Sequence, residues 1–242
     1  MPSSRFLAAA LALSIPLLAA PAATGAVVTG GNVDWGVKQS FRSYVTGPIA
    51  AGSITASEGA STNPGGTFRF PITGGDQIET QRVSVGARGK VKFSGHLGAL
   101  DFTIFNVRVV LDGTASGPCL VADADTKKLN GGGVTESYRD VRFAKLNTTG
   151  LTPSTAGGTT TWSGVPATLT AEGSPAFAGF YDPGEELDPV TFSYATGSGT
   201  GSAAGACEKR GSVVTVPPGG TPPASKPAGA TLKLGKPSKG QL

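Results

Sequence analysis

The sequence predicts a mainly β domain: an antiparallel β-sandwich or open barrel, with one amphipathic helix and a short helical turn at a ligand pocket. Three observations carry this. Val, Thr and Phe recur, Met occurs once and Gly 37 times in 242 residues, a composition of strands joined by tight turns. Several short segments alternate apolar and polar residues, as half-buried strands require. One stretch, NVDWGVKQSFRSYVTGPIA (residues 32–50), instead spaces Val37, Phe41, Tyr44 and Val45 at helical intervals.

Residues 1–26 stand apart from the fold. Arg5 gives a positive start, residues 6–18 are apolar but too short to span a bilayer, and Ala20, Ala22 and Ala26 supply small side chains. This is the pattern of a secretory signal peptide. Cleavage is expected after Ala26, with Ala22 as the alternative. The domain itself is expected over residues 32–195.

In the helical stretch, Asn32 is placed to cap the start, and Gly47 with Pro48 to end it. Ser40 and Tyr44, four residues apart, share a face. Residues 67–72 alternate until Pro71, which predicts a strand ending there or lying at an edge. A turn is expected at 73–77, and short strands at 82–86 and 90–96. Residues 101–111, DFTIFNVRVVL, are the strongest strand. Phe102, Ile104, Val107, Val109 and Leu111 form one apolar set, with Phe105 and Val110 opposite. The phase slips near Asn106, which predicts a bulge. Asp112 and Gly113 then read as a hairpin turn.

Further strands are expected at 119–124, 139–146, 165–171 and 190–194, with a Thr- and Gly-rich loop over 147–164. Residues 174–181, SPAFAGFY, read as one helical turn capped by Ser174, with Pro175 at its first position. An acidic, solvated turn is expected over 182–188. Periodicity fades after Gly197, so residues 196–242 read as a flexible Gly/Ser/Pro-rich basic tail.

The mature chain has two cysteines, Cys119 and Cys207. In an exported protein this pair reads as one disulfide. Net charge is +4, and Lys209, Arg210, Lys226, Lys233, Lys236 and Lys239 in the tail face only Glu208. That distribution argues against a nucleic-acid surface on the folded part. It suits contact of the tail with an anionic cell wall, or a solvated linker.

Enzyme chemistry finds little support. The single histidine, His96, has no GxSxG serine to serve, and both cysteines are expected to be oxidised. Glu185, Glu186 and Asp188 fall in one turn rather than across a cleft. One histidine and no free thiol make a poor zinc set. On local pattern alone, Tyr44 also fits a ring packed on the sheet with a hydrogen-bonded hydroxyl, and His96 fits a structural residue.

Three segments taken together resemble the Htaa-domain family: WGVKQSFRSYV (35–45), FSGHLGALDFTIFNVRVVLDG (93–113) and TLTAEGSPAFAGFYDPGEELDPV (168–190). The family comprises secreted or surface-attached haem-binding modules of Gram-positive bacteria. The resemblance implies a β-rich fold with a pocket for ferric haem b bounded by short helices. It implies Tyr44 as the axial iron ligand and His96 hydrogen-bonded to it. Ser40, Phe180 and Tyr181 match positions that line the haem or hold its propionates. Many relatives end in a membrane helix, and this sequence has no second apolar stretch of that length.

A phenolate is a hard anionic donor that suits ferric iron. Phenols ionise at about pH 10, so tyrosinate at neutral pH needs the ferric charge and a hydrogen bond. Protonation or movement of His96 would weaken that hold. The expected protein is therefore a secreted, non-enzymatic haem carrier for iron acquisition. It would exchange haem with host haemoproteins or other surface haem-binding proteins. The alternatives are a haem-free wall-binding or adhesion module on the same scaffold and, more remotely, a haem-dependent peroxidase.

Overall fold

The structure is a computed structural model that describes residues 25–111, 117–127, 133–201, 207 and 212–216. The expected signal peptide, apart from Gly25 and Ala26, lies outside these residues. So do the Asp112–Gly113 hairpin and most of the tail, including Glu208, Lys209, Arg210, Lys226, Lys233, Lys236 and Lys239.

Among the described residues, thirteen strands form one antiparallel sheet. In order they are β1 (Gly25–Trp35), β2 (Ser53–Ser57), β3 (Ser61–Thr62), β4 (Phe68–Glu79), β5 (Arg82–Ala87), β6 (Lys90–Gly95) and β7 (Leu100–Leu111). β8 (Cys119–Lys127), β9 (Thr135–Leu146), β10 (Ser154–Ala156), β11 (Thr159–Leu169), β12 (Glu186–Gly201) and β13 (Ser212–Val216) follow. Two helices, α1 (Gln39–Thr46) and α2 (Gly173–Ala176), complete the fold as expected. Pairing runs β11–β12–β1–β4–β5–β7–β8–β9, and β9 pairs back onto β11 through Leu146 and Ala167. The ring closes, so the single sheet follows the barrel alternative, and full closure removes the exposed edges of those strands.

β7 shows how sequence phase builds the wall. Asn106 has φ 51°, and register shifts between Phe105 and Arg108. The inserted residue lets Phe102 and Ile104 before it, and Val107, Val109 and Leu111 after it, all enter the core. The expected bulge is therefore present, and it also divides β7. Residues 100–105 pair with β6 and residues 108–111 with β5. β6, with β2 beyond it, thus branches off the ring.

Several expected boundaries shift. β4 runs through Pro71 and the expected turn at 73–77, because β1 and β5 flank it. Arg88 donates its backbone N–H to Pro71 O at 3.0 Å. The missing Pro71 N–H faces the same side, in the gap between the β3 and β5 pairings, where no ladder partner is lost. The loop expected at 147–164 contains β10 and the Thr-rich start of β11, which carry little apolar alternation, and the strand expected at 165–171 is the second half of β11. β12 continues past the expected tail boundary to Gly201, and β13 pairs with β9. β1 starts at Gly25, pairing Ala26 with Gln77.

On the outer face, Cys119 and Cys207 are disulfide-bonded, with Cα atoms 5.9 Å apart, as expected. Both are buried in a small cluster with Val110 and Val121. Arg69 grips Asp34 with two hydrogen bonds of 2.8 Å. Burial pushes the Asp34 carboxyl up, but hydrogen bonds from Arg69 and Asn63 and the guanidinium charge outweigh it and hold the group below its usual value.

Candidate functional site

The site is built on α1, which lies over one end of the sheet. Phe41 anchors it, fully buried, with its ring 5.1 Å from Phe93, 4.9 Å from Phe177 and 5.3 Å from Phe180. Val45, one turn later, is buried beside it. The adjoining stripe carries Ser40, exposed, and Tyr44, half-buried against the core.

The helix does not begin at Asn32, which lies in β1. Its N-cap is Lys38, whose side chain makes no capping bond. The cap comes instead from a remote strand: Asp188 Oδ1 accepts Gln39 N–H at 2.7 Å. The other oxygen, Oδ2, pairs with Arg42 Nη1, and both side chains are mostly buried, at 12% and 16% exposure. Asp188 O accepts Trp35 Nε1–H at 3.0 Å, and Asp188 N donates to Val37 O. Gly36 leaves room for this junction, since a methyl group there would overlap Arg42 Nη1 and Asp188 Oδ2. The acidic turn thus holds a buried structural carboxylate. At the other end Gly47 does stop the helix, with φ −79°, outside the left-handed region the sequence suggested.

After α1 the chain returns against β6. A methyl group at Gly52 would overlap Ser94 O, so only glycine permits this approach. His96 N donates to Ala50 O at 2.7 Å, and a 3-10 turn, His96–Gly98, follows. His96 and Leu97 have φ values of 50° and 54°. Left-handed backbone at a side-chain-bearing residue costs about 1–2 kcal/mol. This turn aims the imidazole at the helix, where Tyr44 Oη and His96 Nε2 are hydrogen-bonded. Their ring centroids are 5.7 Å apart, and both residues are half-buried. Either atom can hold the shared proton.

The third segment closes the other end. α2 is capped by Thr170, whose Oγ1 accepts Gly173 N–H at 2.9 Å, and not by Ser174. Ser174 Oγ instead donates to Tyr181 O at 2.7 Å, fixing the following turn. Phe180 packs on Phe41, and Tyr181 Oη lies 3.3 Å from Ser40 Oγ. Lys38 Nζ stands 4.9 Å above the Tyr181 ring, bonds Glu186 O at 2.6 Å and pairs with Glu185 at 3.1 Å.

All five expected residues, Ser40, Tyr44, His96, Phe180 and Tyr181, therefore flank one helix. Asp188, Arg42 and Lys38 complete the site and were not singled out. Among the described residues, no three His, Cys, Asp or Glu side chains converge as a metal cluster. No helix among them is long and apolar enough to cross a membrane.

Comparison with known proteins bears on this geometry. The chain is similar to the C-terminal domain of HtaA from Corynebacterium glutamicum, at 30% identity and TM-score 0.62 over 71% of this chain and 99% of that one. The N-terminal domain of the same protein gives 31% identity and TM-score 0.60, again over 71% and 99%. The haem-binding protein HtaB of that organism shares the fold, at 22% identity and TM-score 0.54 over 79% and 98%. No curated protein matches the chain. The Htaa family profile matches residues 30–193, which takes in the phenol, the imidazole and the turn after α2, so the chain belongs to the Htaa family.

Proposed function

We propose that this chain is a secreted haem-binding carrier that captures or relays ferric haem for iron acquisition, with Tyr44 as the iron ligand. The observation that carries this reading is the hydrogen bond between Tyr44 Oη and His96 Nε2 at a half-exposed position. A bare metal ion needs several protein donors. One phenol oxygen backed by one imidazole suits instead an iron already held by a macrocycle, lacking only an axial ligand. The donor set therefore fits haem.

The ferric centre supplies Lewis acidity that favours the phenolate. On binding, Tyr44 would release its hydroxyl proton to solvent, and His96, with its proton on Nε2, would donate a hydrogen bond to the phenolate oxygen. Asp188 and Arg42 hold α1, and with it Tyr44, in place. Ser40 and Tyr181 offer hydroxyls to a propionate, and Phe180 offers an apolar face.

Titration with hemin tests the reading. A Soret band and a charge-transfer feature of tyrosinate-bound ferric iron are expected. Tyr44→Ala should lose at least a hundredfold in affinity together with that feature. His96→Ala should keep a Soret band but bind about 10–100-fold more weakly, as loss of a supporting hydrogen bond does. Absence of any spectral change in the native chain would refute the proposal.

A further inference from the structure

The surface around Tyr44 changes chemical character along α1. Toward the helix N-terminus stand Ser40 Oγ, Tyr181 Oη and Lys38 Nζ. Toward the C-terminus stand Ile49, 74% exposed, and Leu97, fully exposed, the large hydrophobic side chains that the described residues leave in water. The two are related through the backbone. Ala50 O accepts His96 N–H, so Ile49 and Leu97 each lie one residue from the same hydrogen bond, and Leu97 directly follows the His96 that pairs with Tyr44. Leu97 is doubly unfavourable in the free protein. Its backbone is left-handed, where glycine or asparagine sits more easily, and its side chain gains no burial. A strained, solvated leucine beside a ligand-binding phenol points to an apolar contact made only when the ligand is present.

We infer that Ile49 and Leu97 form an apolar rim that grips the vinyl- and methyl-bearing edge of the porphyrin, directing its propionate edge toward Ser40, Tyr181 and Lys38. The inference rests on the haem reading. The match is one of polarity: a porphyrin with two carboxylates at one edge and hydrocarbon at the other meets a surface graded the same way, with Tyr44 between the two ends. The rim then selects porphyrins by the substituents on their apolar edge and slows their escape.

Haem transfer to excess apomyoglobin, followed by stopped-flow absorbance, tests this. The full secreted chain is loaded with hemin or with deuterohemin, in which hydrogen replaces both vinyl groups. The native chain should release deuterohemin several-fold faster than hemin. Ile49→Ser/Leu97→Ser should release hemin about tenfold faster or more, by removing apolar burial. It should also release both porphyrins at similar rates. Both positions are exposed, so an unchanged circular dichroism spectrum is expected. Native release rates in the double variant, or retained discrimination between the two porphyrins, would overturn the rim and assign these side chains to some other contact. Absence of a Soret band in the native chain would instead overturn the haem reading beneath it.

Discussion

Asp188 holds three parts of the site at once. Its carboxylate caps α1 and pairs with Arg42, while its backbone ties Trp35 and Val37 to the start of β12. Removing one partner of a mostly buried ion pair leaves the other charge stranded. Asp188→Ala is expected to lower stability by about 2–4 kcal/mol, measured by denaturant unfolding. Affinity for hemin should fall while the spectrum of the bound form is kept, because Tyr44 loses its positioning and not its chemistry. Leu97 predicts the opposite trade. Leu97→Gly relieves left-handed strain and should raise the melting temperature of the ligand-free chain, by about 1 kcal/mol of stability. The approach of Tyr44 to His96 is legible only from the three motifs taken together, since on local pattern each residue also fits a structural role. Asp188 was not legible, because a carboxylate among Glu185 and Glu186 looks like any solvated acid until the fold buries it. Leu97 was hidden likewise, since nothing local separates an exposed leucine from a core one.

At the scale of elements, the Asn106 bulge decides where β7 sends its side chains. Inserting one further residue beside Asn106 would move Val107, Val109 and Leu111 to the outer face, because a one-residue slip inverts every side chain beyond it. Such a variant is expected to lose cooperative unfolding and to bind hydrophobic dyes, as fluorescence and calorimetry would register. This element was legible from alternation alone, as was the apolar face of α1. The ends of α1 were not. Helical spacing begins at Val37, but β1 claims the chain up to Trp35, and the cap comes from a residue about 150 positions away. The β10–β11 hairpin escaped for a different reason. β10 and the first residues of β11 are held by backbone pairing and Thr side chains, with no apolar period to reveal them, whereas the rest of β11 is the strand expected at 165–171.

Over the whole molecule, two devices oppose unfolding: closure of the β9–β11 seam and the Cys119–Cys207 disulfide. The disulfide ties residues 88 positions apart, worth roughly 4–5 kcal/mol in the chain-entropy treatment. Replacing both cysteines with serine should lower the denaturation midpoint accordingly. The hemin spectrum should be unchanged, because the disulfide cluster sits beside the end of β7 remote from the 3-10 turn. Mainly β character, antiparallel pairing and the disulfide were all accessible from composition and cysteine count. Ring closure was not, since it depends on three residue pairs whose partners nothing in the sequence marks. β13 is hidden differently: its four β-branched residues form a short run set among Gly-, Ser- and Pro-rich stretches that read as linker.

Because β6 leaves the ring at the Asn106 bulge, His96 is carried on a two-strand flap, and Tyr44 on a helix that is likewise no part of the closed wall. Fraying of that flap can draw the imidazole off the phenol at a fraction of the free energy of global unfolding. The imidazole and the phenol are thus both borne by elements outside the closed wall, and the barrel behind them need not open for the two to part.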